Sequence, residues 1–467
     1  MMSRIPLASA AMATALASAV ACTGEPTAPC RAPVVISSEV SAGQENVLSA
    51  VVTAQGEAAD SARVAFGPPG RLDSTTPWVQ FTDELATLPV LGLLPDSRYD
   101  VRVVVRSECG AAAGPHMALT TGSLPADLPG YQAGGSAPST GYVVFAAGHY
   151  GLAIDNTGRV VWYHRFEAGP GLNFQAQPNG RYAARIPGMA PGGDWVEVDP
   201  LGVVARTLGC VGGFPSRFHD LIGREDGSYW LMCDETREMD LTASGGVSQA
   251  KVTGTRVQHV AGDGSLLFDW SPFDHFAIDD LPAADRSGGT VNWTHGNAID
   301  IDAEGNLLLS FRSLNEITKI DGRTGAVVWR IGGLRSNAGL ENTPSPPFMR
   351  QHGLRATGNR ELLLLDNLGE NAGSRAERYQ VVDGGAAGLT LRQLRSYTPE
   401  QSTVAALGGT TQPLPGGRAL VAYGNGARVE EYDASGNVVW RLLGNPGYVF
   451  RAQRIRSLYT PGVGDPR

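Results

Sequence analysis

A short unit recurs along the later two thirds of the chain, and it restricts the possible folds more than any other feature. Each copy has an apolar strand, a turn containing Asp and Gly, and a second apolar strand that often ends in Trp. Six copies at spacings of roughly 45–65 residues, each with room for about four strands, predict a six-bladed β-propeller, whereas a solenoid needs more regular periods. Three copies are clear and three are weaker: Leu152–Trp162, Ile317–Trp329, Val429–Trp440, and then Val196–Thr207, Val257–Trp270, Tyr379–Tyr397.

Composition agrees with an all-β chain of several domains. The 467 residues are 42% hydrophobic, which is enough to form full-sized cores in two or three domains. The content of Gly (60) and Pro (30) favours short strands and tight turns over long helices. A net charge of -9 argues against nucleic-acid binding, because such binding needs a basic surface. Any anion site must therefore be locally basic.

The first 22 residues have the pattern of an export signal. Met1–Arg4 carries one charge and precedes Ile5–Ala21, a stretch of small apolar residues too weakly hydrophobic for a transmembrane helix. Two interpretations of Ala19–Cys22 stay open: a plain cleavage site, or a lipoprotein site with a lipidated Cys22 and a polar tether after it. Either predicts an exported protein, free in the periplasm or attached to the outer membrane through Cys22.

Export permits disulfides, and four cysteines remain after Cys22. Cys30 and Cys109 bracket one region of the chain, and Cys210 and Cys233 bracket His219. These two pairs are the predicted disulfides, with free buried thiols as the alternative.

The region before the repeats has a different pattern. Residues 30–122 contain short alternating apolar and polar runs separated by Gly, Pro and Asp turns, as in a β-sandwich. The stretch from Leu91 to Val105 resembles a corner and strand of fibronectin type III domains, which implies that Tyr99 packs and hydrogen-bonds near a strand start. A spacer role is expected, and this sandwich could mediate a homodimer. Residues 123–139 are the predicted linker, and residues 140–467 are the predicted propeller and catalytic domain.

A second repeated unit places three histidines in one equivalent position. His219, His295 and His352 each precede a Gly-containing turn and an apolar strand, whereas Phe174–Arg185 and Thr411–Tyr423 have the same unit without His. Equivalent positions of different blades are related by rotation about the propeller axis, so residues on inner strands converge there. Because three of only eight histidines share this position, we expect them to face one another.

Two kinds of chemistry suit such a cluster. Three histidines can bind a metal such as zinc, but the nearby Arg312 is an unfavourable neighbour for a dication, and no matching carboxylate belongs to the repeat. An anion site fits better. Arginine provides a fixed set of donors for a tetrahedral oxyanion, and a neutral imidazole can act as a nucleophile or a general acid or base.

The residues around these positions resemble those of the bacterial arylsulfotransferase family, in order over residues 140–460. That family consists of exported β-propellers that move a sulfuryl group between phenols without a nucleotide donor. The similar strings are His219-Asp220-Leu221, His295-Gly-Asn297-Ala-Ile, Ser310-Phe-Arg312, Gln351-His352, Asp366-Asn367 with Ser374-Arg375, and Gly409-Thr-Thr-Gln412-Pro-Leu-Pro-Gly-Gly.

The resemblance implies a role for each matching residue. His352 matches the histidine that becomes transiently sulfated, and His219, His295 and Arg312 match the groups that hold the sulfuryl oxygens. It further implies a ping-pong reaction between a phenolic sulfate donor and a phenolic acceptor, with no metal, nucleotide or other cofactor. Residues implied or expected to contact substrate are Asn297, Asn367 and Arg375.

Two other functions stay open. The propeller could bind a ligand or a protein without catalysis, or it could be a quinone- or metal-dependent oxidoreductase, although no carboxylate-rich metal set is found. The physiological donor and acceptor, and the choice between transfer and hydrolysis, depend on loops that the sequence does not place.

Overall fold

The computed structural model describes residues 30–185, 195–358, 360–368, 373–385 and 388–467. The predicted signal peptide and Cys22 lie outside these residues. Within them, secondary structure is almost entirely strand, and no helix is long and apolar enough to cross a membrane. The short 3-10 helices are Thr242–Ser244, Pro272–Asp274, Ile278–Asp280, Ala283–Asp285 and Pro415–Gly417.

The N-terminal region forms two antiparallel sheets that face each other. One sheet has the strand order β1-β2-β6, and the other has β4-β3-β7-β8 with β5 paired to β3. The strands are β1 (Val34–Ala42), β2 (Ser49–Glu57), β3 (Ser61–Gly67), β4 (Ser74–Thr75), β5 (Val79–Gln80), β6 (Leu85–Leu91), β7 (Arg98–Ser107) and β8 (Gly110–Thr120).

Alternation along these strands produces the core between the two sheets. Val52 and Leu88 from one sheet pack in the same apolar cluster as Val101 and Val103 from the other. The Tyr99 side chain is buried, and its hydroxyl accepts a hydrogen bond from the Leu94 N–H at 2.8 Å. This contact at the start of β7 ties the preceding corner to the strand.

The remaining strands form six further sheets within the described residues, and their pairings are antiparallel except for two short strands, Thr290–Asn292 and Ala338–Glu341, which pair in parallel with a neighbour. In chain order the strands are β9 (Gln132–Gly134), β10 (Tyr142–Ala147), β11 (Tyr150–Ile154), β12 (Val160–Arg165), β13 (Asn173–Ala176), β14 (Tyr182–Arg185), β15 (Trp195–Val198), β16 (Val204–Leu208), β17 (Ser216–Gly223), β18 (Tyr229–Met239), β19 (Ala250–Val260), β20 (Leu266–Trp270), β21 (Thr290–Asn292), β22 (Gly296–Ile301), β23 (Leu307–Phe311), β24 (Glu316–Ile320), β25 (Val327–Gly332), β26 (Ala338–Glu341), β27 (His352–Thr357), β28 (Glu361–Asp366), β29 (Arg375–Asp383), β30 (Leu389–Tyr397), β31 (Thr410–Leu414), β32 (Arg418–Ala422), β33 (Val429–Tyr432), β34 (Val438–Leu443) and β35 (Ala452–Ile455).

Two of these sheets combine strands that are far apart in the sequence. The first sheet, β12-β11-β10-β35, takes its inner strand from the C-terminal part of the chain, and the last sheet, β31-β32-β33-β34-β9, takes its outer strand from residues 132–134. Those residues belong to the predicted linker, part of which therefore adds a strand to a sheet. Pairing with β34 satisfies backbone groups at what would otherwise be an exposed sheet edge.

Hydrogen bonds join the inner strands of the six sheets into a closed ring. Each step uses a polar side chain of one inner strand and a backbone group of its neighbour. The six bonds are Gln175 Nε2 to Leu221 O, Ile299 N to Asp220 Oδ2, Ala356 N to Asp300 Oδ2, Thr411 Oγ1 to Gly353 O, Gln412 Nε2 to Arg454 O, and Ala176 N to Gln453 Oε1.

The tryptophans of the sequence repeat link the outer parts of neighbouring sheets. The buried indoles of Trp162, Trp270 and Trp440 donate to the carbonyls of Pro200, Gly325 and Asn156, which lie in turns of the next sheet around the ring. A tryptophan therefore fills the space between two sheets and also anchors the turn of the second one.

Both predicted cysteine pairs are bonded, Cys30 to Cys109 and Cys210 to Cys233. The first attaches the start of the described chain to the turn between β7 and β8. The second joins the segment before β17 to β18. Two disulfides are compatible with an exported protein.

Replacing Trp440 by Phe is expected to lower the free energy of unfolding by about 1–3 kcal/mol, because the variant loses apolar contact and leaves the Asn156 carbonyl without its donor. The matched control is Trp329→Phe, at a partly exposed repeat tryptophan, which is expected to cost less than about 1 kcal/mol. Urea unfolding measures both. Equal losses in the two variants would contradict the anchoring role of Trp440.

Candidate active site

The three histidines lie at the same end of three successive inner strands. His219 is within β17, His295 directly precedes β22, and His352 begins β27. Each of these strands has an irregular register with its neighbour at the histidine, between Ser216 and Leu221, Gly296 and Ala298, and His352 and Arg355. The inner strands β13, β31 and β35 pair regularly. A bulge changes the direction of the side chains beside it, and these three bulges turn the histidines toward the centre of the ring.

The bulges bring the histidines together. The ring centre of His219 lies 5.1 Å from that of His295 and 6.4 Å from that of His352. One nitrogen from each residue lies within 4.8 Å of the other two. Histidines that are more than 50 residues apart in the sequence therefore lie in one site, as their equivalent positions in the repeats predict.

The hydrogen bonds of His352 determine which of its nitrogens carries the proton. Nδ1 lies 2.8 Å from Asn367 Oδ1 and 3.0 Å from the Arg350 carbonyl oxygen. The Asn367 amide is oriented by its Nδ2, which donates to the carbonyls of Ala405 and Gly408. Because both neighbours of Nδ1 are acceptors, Nδ1 is the protonated nitrogen, and the lone pair is on Nε2.

All three imidazoles are neutral near pH 7. Burial lowers the pKa of His352 to about 4; the Asn367 hydrogen bond opposes the shift, and the Arg312 charge adds to it. Burial, followed by the charge of Arg217, lowers the pKa of His295 to about 2. The pKa of His219 is also well below its ordinary value, mainly through burial. A cluster of neutral imidazoles offers lone pairs and N–H donors.

His295 is held in a strained backbone conformation. Its φ is +47°, in the left-handed region that residues with a side chain rarely adopt. Its Nδ1 accepts a hydrogen bond of 2.7 Å from Asn292 Nδ2, so its proton is on Nε2. His295 can therefore donate a hydrogen bond where His352 offers a lone pair.

An aromatic wall borders His219. The Phe218 ring stacks on the imidazole at 4.0 Å between centres, and Phe450 packs edge-on at 5.8 Å. Nδ1 of His219 is buried without a hydrogen-bond partner in the structure. This nitrogen therefore has an unused hydrogen-bonding capacity that a bound group can satisfy.

Arg312 is the cation of the site that lacks a carboxylate. Among the described residues no Asp or Glu forms an ion pair with it; its Nη2 makes one long bond of 3.4 Å to the Ala406 carbonyl, and its buried Nε has no partner. Burial, and then the like charge of Arg350, lower its pKa. The Arg312 guanidinium is thus available to an anion.

The sequence-based prediction missed two further arginines. Arg217 pairs with Asp234, and its charge lowers the pKa of both His219 and His295. Arg350 pairs with Asp285 at 2.8 Å and positions His352 through its carbonyl. A signal for both was present, because each arginine stands two residues before a site histidine.

A cluster of buried charges supports the site from inside the ring. Asp220 follows His219 and is fully buried between the guanidiniums of Arg355 at 3.0 Å, Arg451 at 2.9 Å and Arg467 at 3.5 Å. Burial raises the pKa of Asp220, but these cations outweigh it and hold that pKa below the usual value. Arg451 also donates to the His219 carbonyl at 3.1 Å, so the cluster fixes the backbone that carries this histidine.

The other predicted site residues are placed differently. Asn297 is buried and donates to the Gln351 carbonyl at 2.6 Å, directly before His352, while its Oδ1 has no partner. Arg375 is directed at the carboxylates of Asp366 and Glu377. Asn367 supports His352, as described above. A contact of Asn297 or Arg375 with substrate stays a prediction.

Comparison with known families agrees with this geometry. The family model described as arylsulfotransferase (ASST) matches residues 215–445, a range that includes His219, His295, Arg312 and His352. The chain belongs to the arylsulfotransferase family. Membership in this family indicates a sulfotransferase enzyme. No curated protein matches the chain in sequence.

Solved structures resemble this arylsulfotransferase family member only distantly. A Bacteroides caccae protein of unknown function has 13% identity and a TM-score of 0.45 over 68% of this chain and 100% of its own. A virginiamycin B lyase from Staphylococcus aureus has 10% identity and a TM-score of 0.38 over 66% and 87%. A streptogramin B lyase has 12% identity and a TM-score of 0.39 over 68% and 85%. None is close enough to indicate an activity.

Replacing Asp220 by Asn is expected to lower the free energy of unfolding by about 3–5 kcal/mol, because buried arginines lose their counter-charge. Asp73→Asn, in an exposed pair with Arg71, is the matched control and is expected to cost less than about 1 kcal/mol. Urea unfolding at neutral pH compares the two. A loss at Asp220 as small as that at Asp73 would contradict the supporting role of the cluster.

Proposed function

We propose that the protein transfers a sulfuryl group from an aryl sulfate ester to a phenolic acceptor through a sulfated His352. No nucleotide takes part. One observation carries this proposal. His352, whose Nε2 lone pair is free, lies beside Arg312, which forms no ion pair with a carboxylate among the described residues. A nucleophile and an anion-binding cation together suit attack on an anionic ester.

In the first step, the Nε2 lone pair of His352 attacks the sulfur of the donor. The N–S bond forms as the bond between sulfur and the aryl oxygen breaks, and that electron pair leaves with the phenolate. Arg312, His219 and the Nε2–H of His295 hold the sulfuryl oxygens. The sulfated imidazole is cationic, and its Nδ1–H keeps the bonds to Asn367 and the Arg350 carbonyl.

In the second step, a phenolic acceptor takes the position that the first phenol has left. The proton of the acceptor passes through solvent to the phenolate released in the first step, and the acceptor oxygen attacks sulfur as the N–S bond breaks. This restores neutral His352 with its proton on Nδ1. Because donor and acceptor use the site in turn, the kinetics are ping-pong.

The substrate pocket combines an aromatic wall and polar groups. Phe218 is partly exposed beside His219 and suits stacking with the aryl ring. The unpartnered Oδ1 of Asn297 offers an acceptor near His352. Arg375, the first residue of β29, is the third proposed contact.

The proposal extends to the architecture and location of the protein. The six sheets in a ring are the blades of a six-bladed β-propeller formed by residues 140–467 together with the strand at residues 132–134, and residues 30–122 are a fibronectin type III-like sandwich. The protein is exported to the periplasm, with a signal peptide in residues 1–22 and lipidation of Cys22 as the route to the outer membrane. Homodimerisation through the sandwich is part of the same hypothesis.

A divalent metal site is the second candidate, favoured by the three histidine nitrogens that lie within 4.8 Å of one another. A tetrahedral zinc ion would need its ligand nitrogens about 3.3 Å apart. It would also have to bind beside Arg312, Arg217 and Arg350, which repel a dication.

We expect His352→Ala to abolish acceptor-dependent phenol release from a chromogenic aryl sulfate, because the nucleophile is lost. Incubated with donor alone, the wild-type protein should gain the mass of one sulfuryl group on the peptide that contains His352. Rates and peptide masses test this with and without a chelator. His164→Ala, at a buried histidine remote from the cluster, is the control.

Three outcomes would count against the proposal. Full activity in His352→Ala would contradict the assignment of the nucleophile. Activity that a chelator removes and zinc restores would favour the metal site. Absence of phenol release across a broad panel of aryl sulfates would favour a propeller that binds without catalysis.

The pH dependence of the first step follows from the state of His352. Only the neutral imidazole attacks, and its pKa is about 4, so kcat/KM for the donor should stay constant from pH 7 to pH 5 and decline roughly tenfold per pH unit below the pKa. A histidine of ordinary pKa would lose activity already below about pH 6.5. Stopped-flow release of the first phenol measures this step, with circular dichroism at each pH to verify folding.

A further inference from the structure

A second polar cavity opens directly beside the histidine cluster. It has a volume of about 320 Å³ and is lined by Asp285, Asn292, Arg312, Ser313 and Arg350. Three of its lining residues connect it to the reacting groups: Asn292 bonds His295, the Arg350 carbonyl bonds His352, and Arg312 belongs to the proposed sulfuryl site. The cavity therefore adjoins the proposed sulfuryl site.

The cavity has more positively charged groups than one sulfuryl group requires. An aryl sulfate carries a single negative charge, for which Arg312 is available. Arg350 adds a second guanidinium, close enough to Arg312 to lower the pKa of that residue. Asp285 accepts from only one nitrogen of Arg350, Nη2 at 2.8 Å, so the remaining donors of Arg350 stay available to a ligand.

The position of Arg350 is built into the fold. Its φ is +54°, an unfavourable conformation for a residue with a side chain, and its N–H donates to Asn315 Oδ1 at 2.8 Å. Asn315 itself has a φ of +52°. Left-handed backbone at an arginine persists only where the surrounding structure compensates, so the contacts around Arg350 fix the path of the chain there.

We propose that this cavity is a specificity subsite for aromatic substrates that carry a second anionic group, a carboxylate, which binds Arg350 beside Arg312. The inference rests on the proposed sulfotransfer. Asp285 acts in opposition, because its negative charge weakens the hold of Arg350 on an anion while it keeps the guanidinium in place. Since donor and acceptor occupy the site in turn, the preference applies to both.

The test compares two pairs of donors, and the members of each pair differ in charge and little in shape. We use 3- and 4-carboxyphenyl sulfate against the corresponding carbamoylphenyl sulfates, whose amide is neutral and of similar size. For the wild-type protein, the ratio of kcat/KM for carboxylate over amide should reach roughly 10 for the better isomer, as expected for a charge-assisted bond. The ratio should decline at high ionic strength.

Two variants should move this ratio in opposite directions. Arg350→Gln should bring it to about 1, whatever the change in absolute rates, and Asp285→Asn should raise it several-fold. Arg71→Gln, at an exposed arginine of the N-terminal sheets, should leave both rates and ratio unchanged. A wild-type ratio near 1, or a ratio unchanged in Arg350→Gln, would overturn the subsite.

Absence of turnover with every donor would contradict sulfotransfer but not the subsite. A binding experiment then tests the subsite directly. Calorimetry then compares 4-hydroxybenzoate and 3-hydroxybenzoate with the matching hydroxybenzamides. Tighter binding of a benzoate that disappears in Arg350→Gln supports the subsite, and equal binding of acid and amide overturns it.

Discussion

The hydrogen bonds that join six inner strands into one closed ring are the constraint on which the rest of the structure depends. Side chains such as Gln175 and Asp220 bond the backbone of the next strand, so each strand is fixed relative to its neighbour. If all six strands paired regularly, equivalent side chains on them would point in similar directions relative to the ring. The ring is regular at three strands and bulged at the three that carry histidine, which converts a symmetric scaffold into a site.

The site combines charges of one sign with imidazoles that stay neutral. Arg217, Arg312 and Arg350 surround the imidazoles, and burial together with these cations keeps the pKa of each histidine below its ordinary value. In the proposed reaction, this positive field attracts the sulfate ester, and the same field keeps His352 neutral so that its lone pair can attack. Beneath the histidines, Asp220 balances buried arginines and holds the strand in place.

Repeats in the chain predicted much of this arrangement. Equivalent positions in successive repeats identified His219, His295 and His352 as neighbours, because rotation about one axis relates them. The same argument missed Arg217 and Arg350, since neither belongs to the shared unit, although each precedes a histidine by two residues. Residues 132–134 fall within the predicted linker of residues 123–139, because a strand of three residues has too little pattern to be distinguished from a loop.

The sequence by itself determined the class of fold, the six repeats and the residues that form the cluster, because these follow from local pattern and from repeat symmetry. Tertiary structure alone decided which nitrogen of His352 is free, which arginine lacks a carboxylate and how far burial lowers each pKa. Those properties depend on atoms such as Asn367 Oδ1 and the Arg350 carbonyl, which approach the imidazole from different segments. Contacts of this kind have no period and no fixed spacing, so only the folded chain defines them.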